Sequence, residues 1–121
     1  MEIYGIGTDI VEIGRIRKAI HRTDAFRKRV YTEREIEYIE KKRDPYASYA
    51  GRFAGKEAVS KALGTGVTGF SLTDVEILND SFGKPVVTFY NELKKKTENM
   101  KIEISISHSR EYAVSTVIIY R

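Results

Sequence analysis

Apolar and polar residues alternate along the first dozen positions of the chain. In EIYGIGTDIVEI, β-branched and aromatic residues recur at every second place, which predicts a strand over residues 2–11. Counting by two puts Gly5, Gly7 and Asp9 on the same side of this strand. The two glycines leave room for another element to approach the backbone. Asp9 needs a partner there, because an unpaired buried carboxylate is costly.

Helical spacing then replaces this alternation and predicts four helices. They cover IGRIRKAIHR (13–22), DAFRKRVY with Thr23 or Asp24 as its cap, a segment from the capping box TERE (32–35) to about Arg43, and about 48–63. In the first helix the isoleucines share one face, and Arg15, Lys18 and Arg22 share the opposite face. This first helix is therefore expected to be amphipathic with a basic outer surface.

The longest predicted helix contains RFAGKEAVSKALG and ends at a Gly-Thr-Gly sequence. Its apolar arc consists of Ala54, Ala58, Val59, Ala62 and Leu63. Glu57 and Lys61 are expected at one edge of this arc, and Arg52 and Lys56 at the other. The small alanines would let the helix pack closely against a sheet.

The second half of the chain has the pattern of strands and turns. We expect strands in DVEIL, VVTF, KIEISISHS and AVSTVIIY, a turn in SFGKP (81–85) and a short surface helix in NELKKKTENM. This order predicts a small α+β protein, in which the N-terminal strand and helices pack on an antiparallel sheet. The length of 121 residues suits a single domain over 1–121.

Composition adds an expectation about class and location. Apolar residues make up 41% of the chain and charged residues 31%, as in ordinary soluble globular proteins. The chain has no cysteine, which excludes disulfides and thiolate metal sites and suits a reducing cytoplasm. We see no signal peptide and no apolar run of the roughly 20 residues that span a membrane. The expectation is a soluble cytoplasmic protein.

Positive charge is concentrated in one segment. The whole chain has a formal net charge of +4, but residues 15–29 contain seven Lys or Arg and a single acid. Such a surface attracts an acidic partner by long-range steering. Charge alone does not choose between nucleic acid, anionic lipid and an acidic protein.

Two acids and several cationic residues are candidates for chemistry. Asp9 and Glu57 offer the oxygen ligands that Mg²⁺ prefers, and Mg²⁺ often takes one or two carboxylates together with substrate phosphate. Neighbouring cationic groups would then neutralise phosphate oxygens, as in phosphoryl transfer: Arg52, Lys61, Lys84 and His108. The simpler interpretation is a surface Glu57–Lys61 ion pair that contributes about 0.2–0.5 kcal/mol. Position and residue type leave both interpretations open.

Four motifs add a resemblance over nearly the whole chain. IYGIGTDIVEIGRI, AGRFAGKEAVSKALGTG, NDSFGKPVV and SISHSREYAV, in this order, resemble the small bacterial holo-[acyl-carrier-protein] synthases of the 4′-phosphopantetheinyl transferase family. The resemblance implies a 4′-phosphopantetheinyl transferase-like fold. It also implies Mg²⁺-dependent transfer of the 4′-phosphopantetheine group from coenzyme A to a serine of apo acyl carrier protein, with release of adenosine 3′,5′-bisphosphate.

The same resemblance implies roles for single residues. Asp9 and Glu57 match the metal-binding acids, and Lys61 matches the lysine beside the reacting phosphate, which makes these three the expected catalytic residues. The expected coenzyme A-binding residues are Arg52, Lys61, Gly83, Lys84, Pro85, His108 and Ser109. In the implied reaction the carrier serine attacks the β-phosphorus of coenzyme A, and Glu57 is our candidate for the group that accepts its proton.

The resemblance also implies protein partners. The family meets its acidic carrier proteins with its first basic helix, so the expected carrier-binding residues are Arg15, Lys18, Arg22, Phe26 and Arg29. Family members form homotrimers with active sites shared between neighbouring subunits. A non-catalytic nucleic-acid-binding module would also use the basic segment, but it leaves Asp9, Glu57 and Lys61 unexplained. A trimeric structural domain would need no magnesium.

Overall fold

The computed structural model describes residues 1–121, which form five strands and five helices. In chain order these are β1 (Ile3–Glu12), α1 (Ile13–Arg22), α2 (Asp24–Val30), α3 (Glu33–Glu40), α4 (Tyr46–Leu63), β2 (Val75–Asn79), β3 (Pro85–Phe89), α5 (Asn91–Lys96), β4 (Lys101–His108) and β5 (Tyr112–Tyr120). The predicted α+β class and order of elements are confirmed. None of the helices is both long enough and apolar enough to span a membrane.

The strands form two antiparallel sheets. In the larger sheet β5 lies between β1 and β4, and the smaller sheet pairs β2 with β3. The first and last strands of the chain are therefore hydrogen-bonded neighbours, with Asp9 opposite Ser115. This pairing makes β1 part of the sheet that α4 covers.

Helix α4 lies directly on the backbone of β1. A Cβ atom added to Gly7 would lie 1.9 Å from the carbonyl oxygen of Ala58, and one added to Gly5 would lie 2.0 Å from that of Ala62. No side chain larger than hydrogen fits at either position. The space predicted beside the two glycines is thus filled by the alanine face of α4, whose buried alanines belong to the hydrophobic core.

The helix boundaries largely follow the predicted caps. The Thr23 hydroxyl accepts a hydrogen bond from the Ala25 amide, and Thr32 and Glu35 form the predicted capping box. Helix α3 ends at Glu40 and not at about Arg43, with Lys41 as its C-cap, so the prediction was about one turn too long.

Lys56 departs most clearly from the sequence-based expectation. It was expected at the edge of the apolar arc, but its side chain is fully buried and forms an ion pair with the equally buried Glu35. The periodicity of α4 does not reveal this burial, because a second layer made of α2, α3 and β2 covers the side of the helix that faces away from β1. Arg52 is buried on the same side.

Candidate functional site

Asp9 lies near the C-terminal end of β1, on the face that α4 covers. Its side chain is 19% exposed. The glycines that precede it by two and four residues bring the helix backbone against the strand. A carboxylate two residues beyond this contact therefore faces the next turn of α4.

Helix α4 supplies Lys61 to this carboxylate. The ammonium group donates to the Asp9 carboxylate over 3.1 Å and to the Thr8 carbonyl oxygen over 2.9 Å. Lys61 thus pairs with an acid 52 positions away in the sequence. The simple pair between Glu57 and Lys61 on one helix surface is not what the structure shows.

Glu57 completes the group from the preceding turn of α4. It lines a cavity of about 430 Å³ together with Asp9. Burial raises the pKa of the Glu57 carboxyl, the negative charge of Asp9 raises it further, and Lys61 acts in the opposite direction. The two acids are therefore close enough for the charge of Asp9 to disfavour ionisation of Glu57.

These residues fit a hard divalent cation. Two carboxylates on one cavity supply oxygen ligands, and a site with one or two such ligands leaves positions for substrate phosphate. The negative charge of Asp9 that disfavours ionisation of Glu57 would be offset by a cation between them. Lys61 already provides one positive charge beside Asp9.

The basic surface of α1 borders the same cavity. Arg15, Lys18 and Arg22 are exposed and line a shallow depression of about 390 Å³. Arg15 also lines the cavity that contains Asp9 and Glu57, as does the half-buried Phe26. Arg29 is exposed on α2. A partner bound to the basic helix would therefore lie next to the two carboxylates.

Arg52 and His108 lie together, but in a different cavity. This cavity has a volume of about 320 Å³, and Asp9, Glu57 and Lys61 are not among its lining residues. The guanidinium group of Arg52 donates to the Ile77 carbonyl over 2.9 Å, to the Ser48 hydroxyl over 2.8 Å and to the Asn79 side chain. Burial lowers the pKa of Arg52, with Glu35 opposing the shift. His108 is exposed at the end of β4.

The turn between β2 and β3 adjoins this second cavity through Asn79. The Asn79 amide donates to the Gly83 carbonyl over 2.9 Å, and Gly83 has a positive φ of 86° that favours glycine. Lys84 is exposed and pairs with Glu103 at 3.3 Å, and Pro85 begins β3.

In the β4–β5 connection the Ser109 hydroxyl accepts from the Tyr112 amide, which leaves its own hydrogen free to donate.

Two residues of these cavities were missed by the sequence analysis. Phe53 lines the carboxylate cavity opposite Phe26, at 6.1 Å between ring centroids. Asn79 links Arg52 to the turn that contains Gly83. Phe53 follows Arg52 in the RFAGKEAVSKALG stretch and Asn79 begins the NDSFGKPVV motif, so both lie in quoted motifs, but the sequence analysis gave neither residue a role.

The outer face of the larger sheet is unusually apolar. Ile6 is 65% exposed, Ile10 is 63% exposed and Ile118 is 38% exposed, and Ile6 pairs with Ile118 across β1 and β5. Thr8 and Thr116 form a hydroxyl pair at 2.9 Å between these isoleucines. Several large apolar side chains exposed on one face of a sheet are typical of protein interaction surfaces.

Comparison with known proteins links this geometry to one family. A model of the 4′-phosphopantetheinyl transferase superfamily matches residues 5–117. The chain is 54% identical to the holo-[acyl-carrier-protein] synthase of Fusobacterium nucleatum over 97% of this chain and 98% of that protein. It is similar to the crystal structure of the Bacillus anthracis synthase in complex with CoA (3′,5′-ADP), with 39% identity, a TM-score of 0.82 and coverage of 98% and 97%. The Neisseria meningitidis synthase structure gives 34% identity, a TM-score of 0.90 and coverage of 98% and 99%.

Proposed function

The chain belongs to the 4′-phosphopantetheinyl transferase superfamily, and we propose that it is a Mg²⁺-dependent enzyme that transfers the 4′-phosphopantetheine group of coenzyme A to a serine of apo acyl carrier protein. Residues 1–121 act as one catalytic domain. The observation that carries this proposal is the convergence of Asp9, Glu57 and Lys61 from β1 and α4 next to the basic surface of α1. As part of the same proposal, the enzyme works in the cytoplasm and serves fatty acid biosynthesis.

Asp9 and Glu57 would hold the magnesium ion. When bound, the ion neutralises negative charge on the pyrophosphate of coenzyme A. Lys61 is held beside Asp9 by its bonds to β1, and its side chain remains 56% exposed, so its ammonium group can also meet a phosphate oxygen. Preorganised positive charge of this kind stabilises the charge that develops during phosphoryl transfer.

Glu57 acts as the general base of the transfer. The serine oxygen of the carrier forms a bond to the β-phosphorus of coenzyme A, the bond to the departing nucleotide breaks, and adenosine 3′,5′-bisphosphate leaves. The serine proton passes to a carboxylate oxygen of Glu57. The position of Glu57 on the cavity that Arg15 and Phe26 also line supports this role, because a carrier bound to α1 and α2 would present its serine there.

The acidic carrier protein binds across α1 and α2. Its proposed contacts are Arg15, Lys18, Arg22, Phe26 and Arg29. This placement is supported by the cavity that Arg15 and Phe26 share with Asp9 and Glu57. A serine presented from this side would enter the cavity that the proposed base lines.

The coenzyme A site is completed by a neighbouring subunit of a homotrimer. Its proposed residues are Arg52, Lys61, Gly83, Lys84, Pro85, His108 and Ser109. Within one chain Arg52 and His108 line a separate cavity from the two carboxylates, which is consistent with a site assembled from two copies. The exposed isoleucines on the outer face of the larger sheet are our proposed trimer surface.

A mass measurement tests the transferase function directly. The protein is incubated with apo acyl carrier protein, coenzyme A and MgCl₂, and the intact carrier is weighed by mass spectrometry. We expect the carrier to gain one phosphopantetheine group and to gain nothing when a chelator is added or when its acceptor serine is replaced by alanine. An unmodified carrier under the complete conditions would contradict the proposal.

A further inference from the structure

Where α4 crosses the two glycines of β1, the backbones of the two elements pack against each other with few side chains between them. Gly7 lies under the Ala58 carbonyl and Gly5 lies under that of Ala62, so at the two glycines the helix contributes only alanines. Backbone packed on backbone holds the two elements close together. At the glycines no side chains interlock to oppose sliding or rotation of the helix, and the exposed Lys61 provides the side-chain hydrogen bonds to Asp9 and Thr8. Such motion would move Glu57 and Lys61 relative to Asp9.

The other side of α4 carries a buried ion pair. At 100° per residue, Lys56 points away from the side on which Ala58 meets β1. The Lys56 ammonium donates to Glu35 over 2.6 Å, to the Val30 carbonyl over 2.6 Å and to the Leu72 carbonyl over 3.1 Å. All three of its N–H groups therefore have partners, in three separate segments of the chain.

Glu35 is equally well satisfied. One carboxylate oxygen accepts from Lys56 and from the Thr32 amide at 2.8 Å, and the other accepts from the Ile77 amide at 2.7 Å. Burial lowers the pKa of Lys56, and the charge of Glu35 opposes this shift. A buried pair of this kind is weak evidence for added stability, and its best-attested use is to specify one arrangement over others.

We propose that the Lys56–Glu35 pair is a positioning clamp, which fixes α4 so that Glu57 and Lys61 remain opposite Asp9. The clamp joins α4 to the end of α2, the start of α3, the segment before β2 and β2 itself. Lys56 precedes Glu57 directly, so any displacement of its anchor is passed to the active-site turn. The catalytic consequence rests on the function proposed above, whereas the structural role does not.

The test compares Lys56→Met with Leu93→Ala. Leu93 is a fully buried residue of α5 in the main core cluster, so its truncation destabilises the protein without touching the clamp. Mg²⁺ binding is measured by calorimetry at a temperature at which both variants are folded by circular dichroism. We expect Lys56→Met to weaken Mg²⁺ binding about ten-fold or more, in the range found for residues that orient metal ligands. Leu93→Ala should stay within about two-fold of the parent protein, because its packing defect leaves the ligands in place.

A second measurement reports the helix position without any ligand. The position of the Ala62 amide nitrogen, 2.9 Å from a Cβ built on Gly7, predicts a nuclear Overhauser effect between the Gly7 Hα and the Ala62 amide proton. We expect Lys56→Met to weaken it and Leu93→Ala to retain it. If the parent protein binds no Mg²⁺, the metal site proposed above is wrong. The Overhauser effect alone then tests whether the clamp fixes the position of α4.

Three results would overturn the clamp. The first is a folded Lys56→Met protein with unchanged Mg²⁺ affinity and an unchanged Overhauser effect. The second is an equal loss of affinity in Leu93→Ala, which would assign the effect to general destabilisation. If Lys56→Met does not fold, Glu35→Gln takes its place, because its amide oxygen can still accept from a backbone amide. The third overturning result is an unchanged Mg²⁺ affinity together with an unchanged Overhauser effect in Glu35→Gln.

Discussion

The ammonium group of Lys61 lies 3.1 Å from the Asp9 carboxylate, although Glu57 is the acid one turn earlier on the same helix. Lys61 thereby connects α4 to β1 at the point where the two proposed metal ligands meet. In this arrangement the lysine competes with a cation for Asp9. It also remains exposed enough to meet the substrate.

Substitution of Lys61 and substitution of Asp9 should therefore have different effects. We expect Lys61→Met to lower kcat about 100-fold, because it removes one preorganised positive charge from the transition state. Its Mg²⁺ affinity should be equal to or higher than that of the parent, because Asp9 loses a competing cation. Asp9→Asn should lose Mg²⁺ binding itself. Steady-state kinetics and calorimetry check both, with Lys95→Met on α5 as the exposed-lysine control. Loss of Mg²⁺ binding in Lys61→Met would contradict these assignments.

Gly7→Ala should severely destabilise the protein. The added Cβ would lie 1.9 Å from a backbone carbonyl oxygen, which cannot move aside as a flexible side chain can. We expect a loss of about 3 kcal/mol or more in the free energy of unfolding, at the upper end of overpacking costs. The control is Gly14→Ala in α1, where a Cβ meets nothing within 4 Å. It should be neutral or stabilise the helix by up to about 1 kcal/mol. Equal stability of the two variants in urea unfolding would refute the close contact.

Glu57→Gln should stabilise the metal-free protein at neutral pH. The folded state raises the pKa of Glu57 above the ordinary value of 4.5, chiefly through burial. The folded state then binds more protons than the unfolded state just above pH 4.5, so the unfolding free energy falls as pH rises through the folded pKa. Glutamine does not titrate and avoids this loss.

The check is the melting temperature in a chelator as a function of pH. Glu57→Gln should melt above the parent at pH 7, and the difference should shrink as pH falls below 4.5, where the parent carboxyl is protonated in both states. If the melting temperatures of the two proteins differed by the same amount at every pH, the folded state would not raise the pKa of Glu57.

Charge reversal on α1 should act on the carrier protein and not on coenzyme A. Arg15→Glu combined with Arg22→Glu should raise KM for the acyl carrier protein about ten-fold or more and reduce its dependence on salt, because steering of an acidic partner is lost. KM for coenzyme A should change little. The double substitution Lys94→Glu with Lys95→Glu on α5 is the matched control for net charge, because both lysines are exposed. An equal effect of that distant substitution would argue against a defined carrier surface.

The sequence predicts the larger part of this fold because its elements carry local signals. The alternation in β1, the capping box at Thr32 and the alanine face of α4 each act over a few residues, and each was confirmed. The burial of Lys56 depends on Glu35, Val30 and Leu72, which no local pattern places around it. The partner of Lys61 was likewise set by a contact with β1 and not by helix spacing.

The proposed sharing of the active site between the subunits of a homotrimer predicts recovery of activity when two inactive variants are mixed. Asp9→Asn removes a proposed metal ligand, and His108→Ala removes an exposed residue of the other cavity, so neither variant on its own would contain an intact site. If Asp9 and His108 of one site come from neighbouring copies, a mixed trimer contains sites in which both residues are present. Random mixing of equal amounts should restore about a quarter of the parent activity, because each site then draws its two residues independently from the two kinds of subunit. The measurement uses unfolding and joint refolding, with separately refolded variants as the control. Activity no higher than the average of those controls would place Asp9 and His108 of each site in the same subunit.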